Sequence, residues 1–299
     1  MNKSIPKSVM GLIIITGLSV ISGCGPLTLG TPKPEQVIRN VVYGEQDGVK
    51  LKLDVYVPKG KAPYPVLMEI HGGGWHSGDK SRHSALIREI SSAGFLVFSI
   101  NYRLAPRYRF PSAVDDCLMA LRWVKLHCSE YGGDPYRVGV FGESAGGHLS
   151  AMIATAVYEP FFKERCRENC GVDSSIKAVV SFFGFFDFSS EDVYENPNLK
   201  YPSIGFYGYE PRKNPEMMRL GSPRLMIHKD LPPFLLICGD KDFMLAQNLA
   251  FYKSLKDAGI NAELKIYTGE SHGFILQTFK PNSKKAISDT INFFNFYLK

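Results

Sequence analysis

A series of short apolar runs, spaced by helix-like stretches, restricts this chain more than any other feature. "VLMEI" (66–70), "FLVFSI" (95–100), "RVGVF" (137–141), "AVVSFF" (178–183), "FLLIC" (234–238) and "AELKIY" (262–267) have strand length and are mostly continuous in hydrophobicity. Continuity of that kind signals strands buried on both faces. Between them lie "SALIREISSAG", "AVDDCLMALRWVKLH", "AGGHLSAMIATAV" and "AQNLAFYKSLKDAG", with "KKAISDTINFFNFYL" closing the chain, all with helical periodicity. The alternation predicts an α/β domain with a doubly wound, mainly parallel sheet. "VKLKLDVYV" (49–57) alternates strictly and predicts a half-exposed strand. Segment 185–231, rich in Pro, Gly, Asn and aromatics, breaks the pattern and predicts a small, open insertion over one end of the sheet. At 299 residues, with no internal repeat, one large domain over 41–299 accounts for the rest.

The start of the chain is a separate object. Lys3 and Lys7 precede an apolar run from about Val9 to Ile21, then small residues up to Cys24. The run is shorter than the ~20 residues that span a bilayer, so 1–23 reads as an export signal. Its tail, "ISGC", resembles the bacterial lipobox, which implies that Cys24 becomes the lipidated first residue of a membrane-anchored lipoprotein. Residues 24–40 then read as a flexible tether. The expected location is the periplasmic side or the cell surface, and Gly25 is compatible with outer-membrane sorting.

Of the remaining cysteines, Cys117 and Cys128 fall in one expected helix about 16 Å apart, too far to bond. Cys166 and Cys170, in the polar stretch "ERCRENCG", are candidates for a disulfide in an exported chain. No His or second Cys pair lies near them, so no metal site is expected. The net charge of +6 is dispersed, with no stripe of basic and aromatic residues, which argues against nucleic acid as a partner.

In open sheets of this type, ligands sit beyond the carboxyl ends of the strands. There "GESAG" (142–146) joins a buried strand to an Ala-rich helix, the context of a nucleophile elbow that raises Ser144 clear of the sheet. "HGGGW" (71–75) follows the strand "VLMEI", where the N–H groups of Gly73 and Gly74, with that of Ala145, could face a developing oxyanion. A hydroxyl nucleophile needs a base and the base needs an orienter. His272 in "GESHGF" follows the last strand, and Asp242 in "GDKD" lies a few residues past "FLLIC", better placed than Asp240 and well ahead of Asp187. Trp75 and His76 are candidates for the substrate pocket, or equally for loop packing. Tyr207 and Tyr209 are weaker candidates for stacking on substrate. His148 reads as a core or capping group and Glu143 as structural.

Taken together, "HGGGW", "NYRLAP", "FPSAVDDCLMALRWV", "GGDPYRVGVFGESAGGHLS", "PPFLLICGDKD" and "SHGF" resemble, in order and spacing, the α/β-hydrolases of the hormone-sensitive-lipase-like esterases. "HGGGWHSGDK" and "GESAGGH" lean towards the bacterial feruloyl and acetylxylan esterases. The resemblance covers about residues 40–299 and implies a Ser144–His272–Asp242 triad, an oxyanion hole at Gly73, Gly74 and Ala145, and no cofactor. It implies a serine carboxylesterase acting on small-molecule esters; an amidase or peptidase, or a non-catalytic binding module on this fold, are the alternatives. The long N-terminal cap of the lipase-like members is missing, so any lid comes from 185–231, and short acyl groups are the expected substrates.

Overall fold

The apolar runs become the strands of one sheet. The computed structural model describes residues 34–299; the expected signal peptide, Cys24 and most of the expected tether lie outside the described residues. In chain order the strands are β1 (Gln36–Gln46), β2 (Val49–Val57), β3 (Tyr64–Ile70), β4 (Leu96–Ile100), β5 (Gly133–Glu143), β6 (Ala178–Phe182), β7 (Phe234–Gly239) and β8 (Ala262–Tyr267). They lie side by side as β1-β2-β4-β3-β5-β6-β7-β8. β2 is antiparallel to both β1 and β4, and every pair from β4 onward is parallel. This is the doubly wound α/β sheet that the alternation predicts.

The helices are α1 (Ser84–Ser92), α2 (Ser112–His127), α3 (Ala145–Ala156), α4 (Pro160–Glu164), α5 (Asp192–Glu195), α6 (Pro197–Tyr207), α7 (Pro215–Leu220), α8 (Leu245–Asp257) and α9 (Pro281–Leu298). α1 and α9 pack together on one face of the sheet; α2, α3 and α8 cover the other. The central strands are therefore dry on both sides: Val66, Leu67, Met68, Val140, Phe141, Val179, Val180 and Leu236 are fully buried.

Four sequence readings need correction. Residues 36–40, read as tether, are the start of β1, a partly exposed edge strand whose mixed pattern carries little periodic signal. β2 is not half-exposed over its length. Leu53, Asp54, Val55 and Tyr56 are all buried, because β1 and β4 flank the strand and α1 covers it. Asp54 is tolerated there by Lys80 Nζ at 2.9 Å and by Arg39. Cys128 lies just past α2, in the 3₁₀ turn Cys128–Tyr131. Finally, 185–231 is more regular than its Pro, Gly and Asn content suggests, since α5, α6 and α7 lie within it. Cys166 and Cys170 are joined in a disulfide, with Cα atoms 5.8 Å apart.

Candidate active site

β5 ends at Glu143 and α3 starts at Ala145, so Ser144 alone makes the turn, at φ 54° and ψ −117°. A non-glycine residue at positive φ costs about 1–3 kcal/mol and persists only where its surroundings hold it. Here the hold is steric and hydrogen-bonded. A Cβ on Gly146 would stand 1.9 Å from the Ile70 carbonyl oxygen, and one on Gly142 would stand 2.5 Å from the Gly146 carbonyl oxygen. The Ser144 N–H donates to the Phe182 carbonyl at 2.9 Å, tying the turn to β6. The hydroxyl thus sits at the carboxyl end of the sheet, over the start of α3.

His272, on the loop between β8 and α9, places Nε2 3.0 Å from Ser144 Oγ. Its Nδ1 faces both carboxylate oxygens of Asp242, at 3.0 and 3.1 Å. The Asp242 side chain is fully buried just past β7, where it also accepts the Met244 N–H at 2.8 Å. With Asp242 accepting the Nδ1 proton, Nε2 is left to accept from the hydroxyl, which is the arrangement of a base with its orienter. Phe183 and Phe243 flank the imidazole, with ring centres 4.7 and 4.4 Å away. Asp240 instead accepts the Gly269 N–H at 2.7 Å, and Asp187 pairs with Arg224 at 3.0 Å.

The loop after β3 holds the candidate donors. Gly73 and Gly74 have φ of 119° and 61°, and among the described residues their N–H groups meet no acceptor. The Ala145 N–H, in the first turn of α3, is likewise free of an intrahelical partner. The Gly72 N–H is held by Glu143 Oε1 at 3.1 Å. Trp75 has φ 65° and is buried; its indole N–H donates to His148 Nδ1 at 3.0 Å. His148 passes the link on through Nε2, 2.8 Å from the Gly221 carbonyl. Burial pushes the His148 pKa down to about 4 despite that carbonyl, so the ring is neutral. His76 Nδ1 lies 2.9 Å from the Gly73 carbonyl, inside its own loop.

These groups share a cavity of about 570 Å³ that takes in Gly73, Gly74, Ser144, Ala145 and His272. Trp75, Phe185, Leu199, Pro202, Phe243, Met244 and Leu276 form its apolar wall, and His76, Arg82, Asn198 and Gln277 are among its polar residues. Residues 53–255 match the family BD-FAE. The chain belongs to the BD-FAE family. Among relatives of this BD-FAE chain, esterase LipQ of Mycobacterium tuberculosis is 31% identical over 74% of the chain and 53% of its own length. Isoprenylcysteine alpha-carbonyl methylesterase ICME of Arabidopsis thaliana is 31% identical over 80% of the chain and 57% of its own length. The chain spans about half the length of the curated relatives it matches. A solved truncated form of a carbohydrate esterase from gut microbiota superimposes with a TM-score of 0.77 at 25% identity, covering 90% of this chain and 98% of that one. The fold of this BD-FAE member is that of the α/β-hydrolase esterases, as the motifs imply.

Several expectations for this BD-FAE site change in detail. Trp75 lines the cavity, but it commits its N–H to His148 and stacks on Phe206 at 4.7 Å. Tyr207 is buried with its hydroxyl 3.2 Å from the Met217 carbonyl, and neither it nor Tyr209 is among the cavity residues. Sequence reasoning missed Leu199 and Pro202, spaced by three on α6, whose helical spacing was the available signal.

Proposed function

We propose that this BD-FAE member is a serine carboxylesterase hydrolysing short-acyl esters through an acyl-enzyme. Ser144 Oγ attacks the ester carbonyl carbon while His272 Nε2 takes its proton. The carbonyl oxygen becomes an oxyanion facing the N–H groups of Gly73, Gly74 and Ala145. His272 then gives the proton to the departing alcohol, and Asp242 holds the imidazolium in place. Water, deprotonated by the same imidazole, attacks the acyl group and releases the acid and Ser144. One observation carries this reading: a single imidazole stands 3.0 Å from the Ser144 hydroxyl on one side and 3.0 Å from Asp242 on the other. Relatives named as esterases support the bond type. Labelling with a fluorophosphonate followed by peptide mapping tests it. Modification of Ser144 together with hydrolysis of p-nitrophenyl acetate is expected; a labelled protein modified elsewhere, or none at all, would sink the mechanism.

We infer further that the protein is exported and lipid-anchored through Cys24. The "ISGC" pattern supports this, and so does the disulfide between Cys166 and Cys170, a bond that persists in oxidising compartments. Among the described residues no helix is long and apolar enough to cross a membrane. Cys24→Ser is expected to abolish incorporation of radiolabelled palmitate. Wild-type protein that carries no label overturns the anchor.

A further inference from the structure

β3 carries a carboxylate where its neighbours are apolar. Glu69, the penultimate residue of β3, is buried and accepts the Ser99 hydroxyl of β4 at 2.5 Å. Its other oxygen stands 2.8 Å from Nδ1 of His83, the residue that precedes α1 and is equally buried. On the far side of the ring, Nε2 is 3.1 Å from Glu143 Oε1, a close contact bent away from the N–H axis. That same Glu143 oxygen holds the Gly72 N–H. A continuous path therefore runs from β4 through Glu69, His83 and Glu143 to the loop that carries Gly73 and Gly74.

A carboxylate oxygen close to each ring nitrogen favours the imidazole with a proton on both. Burial pulls the His83 pKa down, but the two flanking carboxylates, Glu143 in close contact and Glu69 in hydrogen bond, outweigh it and raise it to about 9. Burial likewise pushes the Glu143 carboxyl up, and the His83 cation more than reverses this. The other titratable groups facing the cluster include Tyr56, His71, Tyr102, Arg82 and His272. Stability alone gives little reason for such a cluster, since buried ion pairs are often replaceable by apolar packing at no loss. Neither residue of the buried Arg103–Asp116 pair, at 2.7 Å, lines the cavity. The His83 cluster differs in ending on the residue before Ser144 and on the glycine before the oxyanion donors.

We propose that His83 is a positioning residue, clamped between Glu69 and Glu143, that fixes Glu143 against Gly72 and so sets where the Gly73 and Gly74 N–H groups stand relative to Ser144. This rests on the esterase reading above. His83 also balances a carboxylate that would otherwise repel charge developing on the substrate oxygen nearby.

The test compares wild type, His83→Gln and Glu69→Gln, with p-nitrophenyl acetate as substrate and active sites counted by fluorophosphonate titration. His83→Gln is expected to lower kcat per titrated site about 10–100-fold with KM changed less than about twofold, the scale of a small displacement of a catalytic group. Wild-type kcat should decline above about pH 9 as the imidazolium loses its proton, and that decline should be absent in His83→Gln. Glu69→Gln, which keeps the shape, should move the decline to lower pH, and it decides the matter should His83→Gln fail to fold. A cluster that only holds the fold together would lower the melting temperature yet leave kcat per titrated site and the pH profile unchanged; that result overturns the proposal. A wild type that neither hydrolyses the ester nor reacts at Ser144 overturns the esterase reading and this one with it.

Discussion

Ser144 is placed by what its neighbours lack. The Gly146 position has no room even for a methyl group, because the blocking atom is the Ile70 backbone carbonyl. Gly146→Ala should therefore destabilise by about 3 kcal/mol or more, the upper range for overpacking a tight site. Gly205, inside α6, offers the control, since a Cβ there meets nothing within 4 Å. Gly205→Ala should be stabilising by about 0.5–1 kcal/mol, the usual gain on replacing a helical glycine. Urea unfolding of the two variants gives both numbers, and similar values for the two would contradict the steric account. Ser144→Ala should keep the fold but lower kcat by roughly 10⁴–10⁶-fold, leaving a residual rate from the remaining donors and binding. Ester turnover by purified Ser144→Ala at the wild-type rate would show that this hydroxyl is not the nucleophile. At this scale much was legible. The glycines around Ser144, and the distance of Asp242 past its strand, both follow from how strands must end. The partners of Glu69 and His148 were not legible, because each bond joins segments far apart in the chain.

At the scale of elements, the instructive case is the cover over the cavity. Its Pro, Gly and Asn content suggests an open insertion, yet three helices form there. The reason lies in position. Asn196 and Asn214 accept the N–H groups of Asn198 and Met217, and each is followed at once by a proline in the first helical position. An Asn–Pro pair at that point is a helix start, because proline lacks an N–H that would go unpaired anyway and the Asn side chain caps another. Composition hides the signal that order carries. The consequence for substrates concerns α6, which presents Leu199 and Pro202 to the cavity while Phe206 packs behind on Trp75. An acyl chain gains about 0.8 kcal/mol per methylene while it is being buried and almost nothing once it meets that wall. The ratio kcat/KM for p-nitrophenyl esters should accordingly peak at acetate or butyrate and fall by C12, measured below the micelle threshold. Leu199→Ala should shift the optimum to longer chains, at a cost of about 2–5 kcal/mol in stability. A wild-type preference rising steadily to C12 would mean an apolar tunnel and a lipase.

For the whole molecule, two buried histidines bend the stability curve in opposite directions. His148 has its pKa lowered from 6.5 to about 4, so the unfolded chain takes up the proton first and stability falls as pH drops through that window. The loss by pH 4 is about 3 kcal/mol, at 1.36 kcal/mol per unit. His83 has its pKa raised to about 9, so its contribution is complete below pH 6.5 and fades as pH rises through 9. Thermal melting followed from pH 4.5 to 9.5 should show its maximum near pH 6.5, and His148→Asn should flatten the acid side relative to the wild type. An acid slope identical in the two proteins would mean that His148 is not the sensor. The sheet itself sets a direction for the molecule. β1 begins at Gln36 opposite Val57, the last residue of β2, whereas Leu53, earlier in β2, lies beside Ile100 at the end where β3 and β5 also finish. The chain thus enters the fold at the pole of the sheet remote from Ser144. A lipid on Cys24, as proposed, would hold the domain by that pole, with only the 11 residues from Gly25 to Glu35 as leash, at most about 40 Å when fully stretched. The cavity that holds Ser144 would then open at the pole away from that attachment, so an ester in solution would reach it without first meeting the anchor.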